Sequence, residues 1–280
     1  MMPGTVAHPF AGPPVETITL DSPPLASVLV QVRFAQVLNA VEDSVAAQLQ
    51  QRFRDEYPFV AQQAEAMLIV LPGVDTAPAP ATNKLWRFAD RDNVWSVTLS
   101  TSFVALQTAA YAGHEDFFAR LRRVLDAVSE IVDPPAVERV GARYTQRLRG
   151  DDDLARLTEY VRPEVLGASV VHDDTGGLSL CLTQAQAQFD DATLTARWGT
   201  LPANAGIDPV IAPLPEATWV MDIDVFDEMR DDFVPEVVTA RALAHSRRQY
   251  RFFRWAVEPS FLIRYGADQE LVAHAVEEMV

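Results

Sequence analysis

Between Leu25 and Arg149, six strand signals and two helical stripes follow one another in the order β-α-β-β-β-β-α-β. Consecutive strands with only short links cannot be parallel neighbours, because each parallel pair needs a crossover of a dozen or more residues. The order therefore predicts antiparallel sheet backed by helices and excludes a doubly wound parallel fold. Leu25 to Phe34 follows Pro23-Pro24 and sets Val28, Val30, Val32 and Phe34 on one face, with Leu29, Gln31 and Arg33 on the other. Val41, Val45, Leu49, Phe53 and Tyr57 form a helical stripe that Pro58 stops. Ala66 to Leu71 reads as a short buried strand, and residues 72–83 as a Pro-rich loop. Strand signals follow at Leu85–Phe88, Val94–Leu99 and Phe103–Gln107. Phe117, Phe118, Leu121, Val124, Leu125, Val128 and Ile131 then set a helix over 115–132, which Asp133-Pro134-Pro135 ends before the strand Val137–Arg149.

The second half repeats these themes without a residue-level repeat. Residues 153–161 read as helix. Ala168–His172, Leu178–Phe189, Thr193–Leu201 and Trp219–Phe226 read as strands, 202–217 as a Pro-rich loop and 236–257 as a long helix. The expected fold class is α+β in two lobes, each a mostly antiparallel sheet backed by helices. A flexible N-terminal arm over residues 1–22 precedes one lobe over 23–150 and a second, acidic lobe over 151–280 that ends in the long helix.

Apolar residues make up 49% of the 280 and charged residues 22%, enough for a sizeable core. No apolar run approaches bilayer length, and no basic stretch leads into an apolar one near the N-terminus, so neither a membrane span nor a standard secretory signal is expected. The single cysteine, Cys181, excludes an internal disulfide framework, and cytoplasmic localisation follows as the expectation. The net charge is −16. Residues 1–150 hold 16 acids and 13 bases, and 151–280 hold 23 and 10. Such a balance disfavours nucleic acid and anionic membrane, and offers the second half to a basic partner. Among scattered histidines, none pairs at His-x-x-x-His spacing, and no phosphate loop or nucleophile elbow is present. No cofactor and no metal is expected.

Three groups of residues could carry chemistry. Asp222 and Asp224 share one face of a strand, close enough to hold a divalent metal, or to meet arginines from neighbouring strands. Arg33 and Arg143 could hold an anion bidentately, or pair with Asp222 and Asp224 and neutralise both groups. Arg247, Arg251 and Arg254 form a stripe on the long helix, interleaved with Tyr250, Phe252, Phe253 and Trp255. Arginine with aromatics is the composition of binding hot spots; the alternative buries the aromatics and pairs the arginines with Asp227, Glu228, Asp231 and Asp232.

In order along the chain stand Pro23-Pro24-Leu25 leading to Val32-Arg33-Phe34, Tyr57-Pro58, Trp86-Arg87-Phe88, and Leu99 with Phe103, Leu106 and Tyr111. Arg139-Val140-Gly141-Ala142-Arg143-Tyr144, Asp222-Ile223-Asp224-Val225, His245 and Phe252 complete the set. Over residues 23–265 this resembles a sporadically distributed family of uncharacterised bacterial proteins. Ala26-Ser27 departs from the glutamate expected after the double proline, which removes a carboxylate that would act with Arg33. The resemblance implies no activity or cofactor, and its patchy distribution looks like that of defence-associated genes.

Two readings of function follow. The first is a non-enzymatic protein-binding or regulatory protein with a protein partner or a second copy, the sensing or neutralising component of a defence or toxin–antitoxin-like pair, binding through Arg247, Arg251, Arg254, Phe252 and Trp255. The second is a metal-dependent enzyme acting on a nucleotide or phosphate ester through Asp222, Asp224, Arg33 and Arg143.

Overall fold

The structure is a computed structural model that describes residues 8–12, 15–64, 84–170, 172–173, 176–178, 180–207 and 211–277. In chain order the elements are β1 (Leu25–Phe34), α1 (Asp43–Phe53), β2 (Phe59–Ala64), β3 (Lys84–Ala89), β4 (Trp95–Leu99), β5 (Phe103–Thr108), α2 (His114–Ile131) and β6 (Val137–Arg149). There follow α3 (Asp151–Ala155), α4 (Leu157–Tyr160), α5 (Pro163–Leu166), β7 (His172–Asp173), β8 (Gly176–Gly177), β9 (Cys181–Gln188), β10 (Thr193–Leu201) and β11 (Thr218–Asp227). Helices α6 (Pro235–Ala256), α7 (Pro259–Arg264) and α8 (Gln269–Glu277) complete the set. Nine strands hydrogen-bond in the order β2-β3-β4-β5-β1-β6-β11-β10-β9, so the fold is α+β on an antiparallel sheet. No helix among the described residues is long and apolar enough to cross a membrane. The strand expected at Ala66–Leu71 and the loop at 72–83 lie outside the described residues.

The chain divides into two compact units, each assembled from separate stretches. One comprises Val28–Gly141 and Asp227–Leu243. Its buried residues include Val28, Val30, Val32 and Phe34 on one face of β1, Val45, Leu49 and Phe53 of α1, and Leu121, Leu125 and Val128 of α2. The helices form because these residues recur every three or four positions. Glu115 and Asp116 in the first turn of α2 suit its dipole. At its end Asp133 turns to φ +50, and Pro134 cannot continue the ladder. Phe53 meets Phe88 and Tyr57 edge-on, with ring centroids 5.4 and 6.1 Å apart. Phe53→Leu keeps the apolar burial and loses both contacts, so thermal or urea unfolding should show a loss of about 1–2 kcal/mol. A neutral outcome would place the packing energy elsewhere.

The other unit comprises residues 1–27, 142–226 and 244–280. Antiparallel β9, β10 and β11 pair in continuous register, and alternation sends Leu194, Ala196, Trp198, Trp219, Met221, Ile223 and Val225 into one core with Phe252, Phe253, Phe261 and Tyr265. The helix expected over 153–161 is two short helices, α3 and α4, interrupted where Arg156 leaves helical geometry, and α5 begins beyond it at Pro163. Cys181 is half-buried, and its neighbours Leu180 and Leu182 are exposed.

Candidate functional site

Arg143, Thr145, Asp222 and Arg197 all belong to the second unit. Asp222 stands opposite Arg197 across β10 and β11. Its carboxylate is buried and accepts five hydrogen bonds. Arg143 donates Nε to Oδ1 at 2.7 Å and Nη2 to Oδ2 at 3.0 Å. Arg197 donates Nη2 and Nε to Oδ2 at 2.7 and 3.2 Å, and the Thr145 hydroxyl donates to Oδ1 at 2.8 Å. Burial alone would raise this carboxyl's pKa, but the charge of Arg143 and the hydrogen bonds from Arg143 and Arg197 outweigh burial and hold it below the usual carboxylate range. Side-chain exposure is 21% for Arg143 and 35% for Arg197, so the carboxylate is covered while its two cations still touch water. Of the two roles open to Asp222 in sequence, this is the arginine pair. A metal ion there would have to displace guanidinium donors from both oxygens and would face two positive charges.

Asp224 is half-buried beside Thr195 in register, and Arg33 is exposed on β1. Among the described residues no three His, Cys, Asp or Glu side chains gather as metal ligands.

The second cluster lies on the later turns of α6. Its basic stripe, one face in the sequence pattern, is divided in the structure. Arg247 is exposed, Arg251 and Trp255 are half-buried, and Phe252 and Arg254 are buried. Helical spacing explains this, since Phe252, Phe253 and Ala256 point into the core and carry Arg254 partly inward with them. Asp227, one of the partners that the alternative reading assigns to the stripe, pairs with Arg241. The surface of α6 is occupied by the chain's own N-terminal residues.

Those residues, expected as part of a flexible arm, are tied down over their described part. The Phe10 ring lies against Phe252 and Phe189, with centroids 6.1 and 6.3 Å away. Arg251 donates Nη1 to the Ala11 carbonyl at 3.1 Å, and Gly12 sits so near that a Cβ there would meet Arg251 Nη1 at 3.0 Å. Arg254 Nη1 reaches the Glu16 carbonyl at 3.5 Å, and the Ile18 amide donates to the Tyr250 hydroxyl at 2.8 Å. Ile18 is buried in the unit's core, and the Ser22 amide donates to the Tyr265 carbonyl at 3.1 Å. Phe10, Glu16 and Ile18 escape a reading of the sequence because a Pro-rich stretch with isolated apolar residues shows no period. Arg197 and Thr145 escape it because strand register is not written in any one strand.

No protein-family model matches the sequence, and no curated protein matches it.

Proposed function

We propose that this is a non-enzymatic binding protein of regulatory type, whose ligand is an extended protein segment received on the later turns of α6. One observation carries this reading: that surface already holds residues 10–12 and 16–18 in the manner of a bound peptide. An aromatic side chain sits between Phe189 and Phe252, arginines and a tyrosine hydroxyl engage main-chain groups, and Ile18 is buried. The engagement of both Asp222 oxygens by guanidinium groups weighs against the metal-dependent alternative through Asp222, Asp224, Arg33 and Arg143.

A role as the sensing or neutralising component of a bacterial defence or toxin–antitoxin-like pair, membership of the sporadically distributed family, a cytoplasmic setting and the exclusion of nucleic acid belong to the same proposal, with the −16 charge as support for the last. The two-lobe arrangement is part of it, and the division into two compact units supports it.

The test is a fluorescently labelled peptide with the sequence of residues 8–20, titrated into the full chain and into Phe10→Ala. The tethered segment competes at an effective concentration on the order of millimolar, so the wild type should bind weakly and Phe10→Ala about tenfold more tightly. Absence of saturable binding to both would overturn the reading.

A further inference from the structure

We infer that the surface on the later turns of α6 is built for an acidic segment of a partner protein, and that residues 8–12 and 15–18 are its displaceable internal cover. This deepens the binding reading above and rests on it. The decisive residue is Arg254. It is 3% exposed, yet it forms no ion pair with a carboxylate among the described residues. Its Nη1 reaches two neutral oxygens, the Glu16 carbonyl at 3.5 Å and the Tyr250 hydroxyl at 3.4 Å, both at the long limit for a hydrogen bond. Its Nε is buried with no hydrogen-bond partner among the described residues.

A buried guanidinium is expensive unless paired and fully hydrogen-bonded. The cover satisfies Arg254 poorly, whereas a carboxylate would accept bidentately from the same fork. Arg147 of the same unit is held similarly, on the Ala212 carbonyl with Nε and Nη2 buried without partners among the described residues, whereas several other charges there are paired. Asp222 holds two arginines at 2.7 Å, Arg248 meets both oxygens of Asp191 at 2.8 Å, and Arg264 meets Asp153 at 2.8 Å. Arg251, one turn before Arg254, gives its Nη1 to a carbonyl of the same cover, and burial lowers its pKa.

The cover is also suited to leave. Its aromatic anchor, Phe10, remains 37% exposed, and most of its polar contacts are single hydrogen bonds to main-chain groups. A partner segment offering an aromatic residue and carboxylates would reuse the Phe10 position and give Arg254 a charged acceptor in place of neutral ones.

The experiment compares two labelled peptides on the full chain and on Phe10→Ala. One has the sequence of residues 8–20; the other carries Ala11→Asp and Thr17→Glu. The acidic peptide should bind about tenfold more tightly at low salt, the preference fading as salt rises. Arg254→Gln should abolish the preference, so that the two peptides bind the variant equally. Should Arg254→Gln fail to fold, Arg251→Gln is the second variant and should at least halve the preference. Amide exchange over residues 8–18 of the full chain should accelerate on binding of the acidic peptide, reporting the cover's departure. Equal binding of the two peptides would overturn the acidic preference and leave the binding reading standing. Binding with unchanged exchange over residues 8–18 would overturn displacement. Absence of binding by either peptide to either protein would overturn both readings.

Discussion

Asp222→Ala should lower the unfolding free energy by about 3–5 kcal/mol, since it leaves two guanidinium groups confronting each other without the carboxylate between them. The lower end is expected, because Arg143 and Arg197 keep part of their surface in water and can relax toward it. The effect carries a pH signature. The folded carboxyl releases its proton more readily than the unfolded one, so folding stabilisation from Asp222 is complete above the unfolded value near ~4 and is lost as pH falls through the lower folded value. Urea unfolding of the wild type and Asp222→Ala across an acid series should therefore give curves that converge below about pH 4. A gap independent of pH would mean that the smaller side chain packs badly, not that a charge pair has been broken.

Gly199→Ala should have the next largest effect. Gly199 lies at φ +142, where side chains other than hydrogen are strained, and it pairs with Leu182 between β10 and β9. A Cβ on this backbone would fall 1.8 Å from the Cys181 carbonyl oxygen. Main chain cannot turn aside as a flexible side chain can, so β9 must peel from β10 over that stretch. Backbone strain of about 1–3 kcal/mol together with the lost ladder bonds puts the expected loss near ~3 kcal/mol. Hydrogen exchange should localise the damage. Amides of Thr183–Gln188 should lose protection first, because β9 is the last strand in the order and most of its side chains are exposed. Unchanged protection there would show that β10 absorbs the extra methyl by other means.

How much of this could be read in advance depended on how local the signal was. β1, β6 and β10 have the bounds expected of them, because each is a long strand signal set between turn-forming residues. Helix α2 has bounds within a residue of the expected ones, its apolar stripe being long and its end marked by Asp133-Pro134. β2 was invisible for the opposite reason. Its sequence, Phe59–Ala64, includes two glutamines and an exposed Phe59, the pattern of a strand at the end of a sheet that is not buried on both faces. At the candidate site, Arg143 and Asp222 could be recognised as a pair since each stood on a well-defined strand. The second arginine could not, because only the register of β10 on β11 brings Arg197 opposite Asp222. The α6 surface was half legible: its arginines and aromatics were conspicuous, but what covers them comes from the far end of the chain.

That separation has a consequence for how the molecule is made. The Ile18 amide and its acceptor on Tyr250 lie 232 positions apart, and the Ala11 carbonyl and Arg251 lie 240 apart. At a ribosomal speed of about 5–20 residues per second, roughly 10–50 s pass between synthesis of the cover and synthesis of the surface it covers. Throughout that interval Phe10 and Ile18 have no native place to go. The α6 surface is therefore born into a contest, in which any suitable segment present at that moment competes with a tether that was waiting before the surface existed.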